Sequence, residues 1–188
     1  TSIKFYDNPA VNWRPVPNTN ATLVGNTPFM LFIRGSRGIN LNGPTIPPNV
    51  TVLRAKGNLI TGDRTFHVAP NGFTAIPNPY QSPTNFATLT RNNVQNLFYL
   101  WDPKLGGTNG VGGYVTVSWN GSSYDITPKP VSPESQYIQP WQSFLVKSTG
   151  TAGTLTIKES DKVAIITGNV FRMNGTVTNT SSQQTVRV

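Results

Sequence analysis

Apolar residues along this chain come in short bursts rather than at helical spacing. Runs rich in Val, Ile, Thr and aromatics, each bounded by Gly, Pro or Asn, are the mark of β-strands. The pattern predicts strands over residues 3–6, 22–24, 29–34, 50–56, 65–69 and 73–76. Further strands are predicted over 96–101, 114–119, 123–126, 143–147, 154–158, 163–166 and 185–188, with room for one helical turn around 85–93. The cleanest alternation puts Tyr114, Thr116 and Ser118 on one face and Val115, Val117 and Trp119 on the other. Asn120-Gly121 follows at once and is a hairpin dipeptide, so residues 115–119 should pair with 123–127.

About a dozen short strands with frequent turn punctuation predict an all-β fold. The expected form is an antiparallel β-sandwich of Greek-key or jelly-roll kind, either one continuous domain or two packed subdomains over residues 1–70 and 71–188. The 16 prolines belong at edges and in loops of such a fold. Residues 35–49, with three prolines and three glycines, and residues 128–140 read as long surface loops. Residues 102–113 hold five glycines and are expected to be the most mobile connection. There is also an internal echo. Phe5-Tyr6-Asp7-Asn8-Pro9 resembles Tyr99-Leu100-Trp101-Asp102-Pro103, and the run from Pro28 to Arg34 resembles that from Pro140 to Lys147.

Composition narrows the chemistry. With 188 residues, 36% of them hydrophobic and only 12% charged, the chain can build a real core. Cysteine is absent, which excludes disulfides, Cys-ligated zinc, iron–sulfur centres and thiol catalysis. The net charge of +8 reflects few acids as much as many bases, and the 15 Lys and Arg are scattered. Phosphate binding needs them concentrated, so nucleic acid is not the expected partner. Only Arg34 and Arg37 stand close together with no acid nearby, which makes them candidate contacts for an anionic ligand. The longest fully apolar stretches, residues 29–33 and 97–101, fall far short of a helical membrane span. Thr1 opens no charged-then-apolar leader pattern, so a signal peptide is expected to be missing or already removed.

A series of landmarks runs through the second half. Phe73-Thr74-Ala75-Ile76-Pro77-Asn78-Pro79-Tyr80-Gln81-Ser82-Pro83 comes first, then Phe98-Tyr99-Leu100-Trp101-Asp102-Pro103 and Gly112-Gly113-Tyr114. Gln142-Ser143-Phe144-Leu145-Val146-Lys147, the run from Thr154 to Lys162, and Phe171-Arg172-Met173-Asn174 complete it. The series resembles a region of large secreted and cell-surface proteins of Bacteroidetes, found just upstream of type IX secretion sorting domains. Phe32-Ile33-Arg34-Gly35-Ser36-Arg37 is similar to that family's F-V-R-G-D-R element. Pro77, Gln81 and Ser36 depart from the family pattern (Gly, Pro and Asp there), each at a turn position. The resemblance implies an extracellular or bacterial cell-surface location and a noncatalytic β module, and names no ligand.

Sites for chemistry are few. His67 is the one candidate base and lies in a strand-like run with no Gly-x-Ser-x-Gly elbow in the sequence. None of the seven acids forms a recognisable catalytic pair. Asp102, before a proline, should cap backbone amides, and Glu159 and Asp161 beside Lys158 and Lys162 read as a solvated hairpin end. No cofactor is expected; a structural calcium held by loop carbonyls and Asn is the one alternative. The four tryptophans offer the best ligand argument, with Trp119 and Tyr124 across the hairpin and Tyr137 in the Pro-rich loop as candidate ligand contacts. The expected function is a structural or adhesive, nonenzymatic module that contacts other copies, cell-surface proteins or polysaccharide, with self-assembly through strand edges such as 185–188 as a variant of that reading. The alternative is a carbohydrate-binding module of a secreted enzyme.

Overall fold

The structure, a computed structural model, describes residues 3–18, 20–22, 25–32, 57–106, 112–130 and 134–165. Among these residues the fold is all-β, a sandwich of antiparallel sheets with two short 3-10 turns and no α-helix. The strands are β1 (Ile3–Asp7), β2 (Asn12–Pro15), β3 (Phe29–Leu31), β4 (Arg64–Val68), β5 (Thr74–Pro77), β6 (Thr84–Asn85) and β7 (Thr90–Asn92). They continue with β8 (Leu97–Asp102), β9 (Gly113–Trp119), β10 (Tyr124–Thr127), β11 (Tyr137–Ile138), β12 (Ser143–Val146) and β13 (Gly153–Ile157).

A five-stranded sheet in the order β10-β9-β8-β12-β5 forms the middle layer. Its inner face carries Ile76, Phe98, Leu100, Val115, Val117, Phe144 and Val146, all buried. They pack on Val68, Leu155 and Ile157 of the sheet β4-β13-β7, with Phe86, Leu89 and Ile138 filling the gap. Phe86, Phe98 and Phe144 meet with ring centroids 4.2–6.0 Å apart. Each such side chain withdrawn from water contributes about 1.5–3 kcal/mol.

The outer face of the same sheet is covered by a third layer, β2-β1-β3. Tyr6 and Trp13 of that layer pack on Ala75, Leu145, Phe73 and Tyr99. Double coverage explains why β5 and β12 lose the polar–apolar alternation that β8 and β13 keep. Asn8 clips the free edge of β5: its Oδ1 accepts from the Ala75 N–H at 2.8 Å and its Nδ2 donates to the Ala75 carbonyl at 3.4 Å. A single amide side chain thus satisfies the pair of backbone groups that an adjacent strand would bond.

The internal echo has a structural counterpart. β1 lies between its hairpin partner β2 and the later strand β3, and β8 lies likewise between β9 and β12. Each central strand ends in an Asp whose Oδ1 caps the following turn, Asp7 on Ala10 N–H and Asp102 on Lys104 N–H.

Most predicted strands appear within a residue or two, and the 119–124 hairpin pairs as expected. Pro15 and Pro77 lie in edge strands. β2, β6, β7 and β11 are additional, too short or too polar to stand out. Residues 163–165 form no strand; Val163 instead donates its N–H to Pro83 O. The predicted strands at 50–56 and 185–188, parts of those at 22–24 and 29–34, the loop 35–49 and residues 107–111 of the Gly-rich loop lie outside the described residues. β4, just before residue 70, pairs along its whole length with β13.

Candidate ligand-contacting surfaces

The β9–β10 hairpin brings Trp119 and Tyr124 directly opposite each other. Asn120 builds its turn: Oδ1 accepts from Ser122 N–H and Ser123 N–H, both at 2.9 Å, while Gly121 takes φ +107. The two rings stand 5.3 Å apart at 60°, so they form a corner rather than a flat platform. Trp119 is 44% exposed, whereas Tyr124 is half-buried against Phe86 and Phe98. The Tyr124 hydroxyl donates to Asn96 Oδ1 at 2.6 Å, and burial pushes its pKa up, keeping it a donor. Asn120 Nδ2 also donates to Asp125 Oδ2 at 2.8 Å. Amides, a carboxylate and one open indole therefore share this tip.

The other candidates are not gathered here. Tyr137 sits half-buried on β11 opposite Asn85, and no ring contact among the described residues joins it to the Trp119–Tyr124 pair. Arg34 and Arg37 lie outside the described residues. His67 is exposed on β4, opposite Thr154. Asp161 is not solvated as expected: it is 3% exposed, and its Oδ2 accepts from Lys158 N–H at 2.7 Å. Glu159 is exposed and pairs with Lys162 and Gly62 N–H, which lowers its pKa.

Several landmark residues act as pins. Asn78 is buried and donates through Nδ2 to Ser82 O, Ile138 O and Gln139 O at 2.9–3.1 Å. The Tyr80 hydroxyl contacts Gly62 O and Ile157 O at 2.9 and 3.0 Å. Gly112, at φ +87, lies so close under Trp101 that a Cβ would stand 2.8 Å from the indole.

No pattern in the sequence singles out the setting of Trp141. Gln142 N–H donates to Gln139 O at 3.1 Å, closing a β-turn with Pro140 and Trp141 at its corners. Trp141 has φ +63, a conformation that costs a residue with a Cβ about 1 kcal/mol or more and suits glycine. Its side chain is nonetheless 56% exposed, the most open of the tryptophans. β12 runs antiparallel to β8, and β8 to β9, so Trp141 lies at the opposite end of the central sheet from Trp119. Nothing in Pro-Trp announces a left-handed turn, since proline fixes its own φ and keeps its predecessor out of the helical region but leaves the residue after it free.

Beneath this turn lies Glu134. Its Oε2 accepts from Gln142 Nε2 at 3.1 Å, while its buried Oε1 has no partner among the described residues. Burial, with the Asp102 carboxylate adding to it, pushes its pKa up from 4.5 to about 7, against the opposing effect of the Gln142 bond. Among the described residues no three His, Asp or Glu side chains gather as a metal site. Two shallow depressions are present, about 410 Å³ beside Phe5–Pro9 and about 300 Å³ beside Lys147–Gly150. No protein-family model matches the chain, and no curated protein or solved structure matches it either.

Proposed function

We propose that this chain is a noncatalytic structural or adhesive β module of a secreted or surface-exposed bacterial protein. The supporting observation is the three-layer packing, in which both faces of the central sheet are engaged and exposed indoles stand at its two ends. Such a scaffold holds loops at fixed positions, the usual way β-sandwiches present contact residues. Partners are other copies of the chain, cell-surface proteins or polysaccharide. The test displays the chain on a nonadherent bacterium and measures attachment to other bacteria, alongside its mass in solution by light scattering. Attachment or an ordered assembly is the expected result; a silent monomer in both assays overturns the adhesive reading.

A second reading, a carbohydrate-binding module of a secreted enzyme, is favoured by the open Trp119 ring beside Asn96 and Asn120. It predicts saturable binding on a glycan array that Trp119→Ala abolishes. The tilted pair would then grip one sugar unit at a corner instead of lying along a chain.

A further inference from the structure

We propose that the end of the sandwich carrying Trp141 is a contact site for a neutral polysaccharide, with the Trp141 indole as the surface on which a sugar ring stacks. The proposal rests on the adhesive reading and names a partner class and a residue for it.

The first argument is conformational. Trp141 occupies a backbone region that glycine would fill without strain, yet more than half of its side chain faces solvent. An indole that stays out of the core repays little of that strain by burial. Strained positions of this kind persist where the surroundings over-determine them, and they concentrate at ligand-gripping sites. Over-determination is visible here. Gln139 N–H donates to Gln142 Oε1 at 2.9 Å, Asn78 N–H to Gln142 O at 2.9 Å, and Asn78 Nδ2 to Gln139 O at 3.1 Å. With the bond from Gln142 to Glu134, the turn is fixed from three sides and presents its corner residue in one orientation. A rigid aromatic loses little freedom on binding.

The second argument is chemical. The register of β12 with β5 places residues 77–83 beside the turn, since Ser143 faces Pro77 and Asn78 bonds Gln142. Neither residues 77–83 nor residues 135–143 contain an Asp, Glu, Lys or Arg, in a chain with a net charge of +8. Exposed Gln81 and half-exposed Ser143 supply an amide and a hydroxyl instead. Of the charged groups that contact these segments, Glu134 is buried against Gln142, and Lys162 lies over the Tyr80 ring paired with Glu159, so neither offers a free cation to an anionic polymer. A stable protein interface buries roughly 800 Å² on each partner around an apolar centre, and these segments offer one exposed ring among polar groups. A neutral sugar matches both parts, its C–H face on the indole and its hydroxyls on the amide and hydroxyl.

The test is affinity electrophoresis of the whole chain in gels containing soluble β-glucan, xylan, galactomannan or dextran, with parallel thermal melts. Wild type should be retarded by at least one of the four. Trp141→Gly should weaken that retardation about tenfold or more, which is 1.4 kcal/mol of contact, while raising the melting midpoint by about 2–4 °C as the strain is relieved. Trp141→Asn, which also tolerates the left-handed region, should lose retardation with an unchanged or raised midpoint. The proposal is overturned if none of the four polysaccharides retards wild type, if both variants bind like wild type, or if both lower the midpoint, which would make Trp141 a packing residue. Loss of retardation in Trp119→Ala alone moves the site to the other end and overturns it too. The adhesive reading is judged separately, by bacterial attachment.

Discussion

The two faces of the central sheet are built on different principles. On the inner face, Phe98, Phe144, Leu100, Val115 and Val117 are all at most 1% exposed and meet a second sheet through side-chain packing, with polar contacts such as the Tyr80 hydroxyl on Ile157 O at the margins. On the outer face, the thin β2-β1-β3 layer is held by aromatic edges and by named polar contacts. Tyr6 and Trp13 meet at 5.0 Å, Trp13 Nε1 donates to the Tyr114 hydroxyl at 3.1 Å, and Asn8 clips Ala75. The inner interface buries the larger apolar set, whereas each polar contact of the outer one requires one residue type at one position.

Truncation should separate the two most strongly. Phe98→Ala, in the centre of the inner core, should cost about 3–5 kcal/mol in urea unfolding and lower the whole transition. A loss below about 1 kcal/mol would mean that the inner face is not the main source of stability. Acidity tests the junction, since Glu134 braces the turn that leads into β12, the strand covered on both faces. Its folded pKa of about 7 lies above its ordinary 4.5, so the fold holds a proton that the unfolded chain has released. Stability from this group is complete below about pH 4.5 and is lost as pH rises to about 7, by up to roughly 3 kcal/mol. Denaturant titrations across that range should show the decline in wild type and a flatter profile in Glu134→Gln; equal slopes would remove Glu134 as the cause.

Asn8→Ala should cost about 1–2 kcal/mol, because it strips two backbone groups of their partner. It should also raise hydrogen exchange at Ala75 before that at Leu100, and uniform exchange in both would show the layers opening as one. The smallest effect belongs to Trp119→Ala. This exposed position should change stability by no more than about 0.5–1 kcal/mol, mainly through the lost Tyr124 contact.

The same contrast explains what could be read in advance. The inner face was legible because alternation in 113–119 and 97–102 fixes which side chains turn inward, and Asn120-Gly121 fixes the hairpin register. The outer layer was half legible: β1 and β3 have apolar bursts, whereas β2, Asn-Trp-Arg-Pro, has one apolar side chain to show. Asn8 as an edge clip depends on a contact 67 residues away in sequence, which no local pattern encodes. At the candidate sites, Trp119 and Tyr124 were legible through the hairpin. Trp141 had no such cue, because the bonds that hold its turn run among Gln139, Gln142 and the distant Asn78, a combination that no local pattern encodes.

The Asn8 clip has one more consequence. A bare sheet margin is a template on which any extended peptide can be copied, strand upon strand. Here the margin of β5 is occupied from within the molecule, so an incoming peptide must first evict an amide that already satisfies both groups it seeks. That margin of the sandwich is insulated against lateral fusion at Ala75, so strand-on-strand growth of this sheet would have to begin from its other margin, β10.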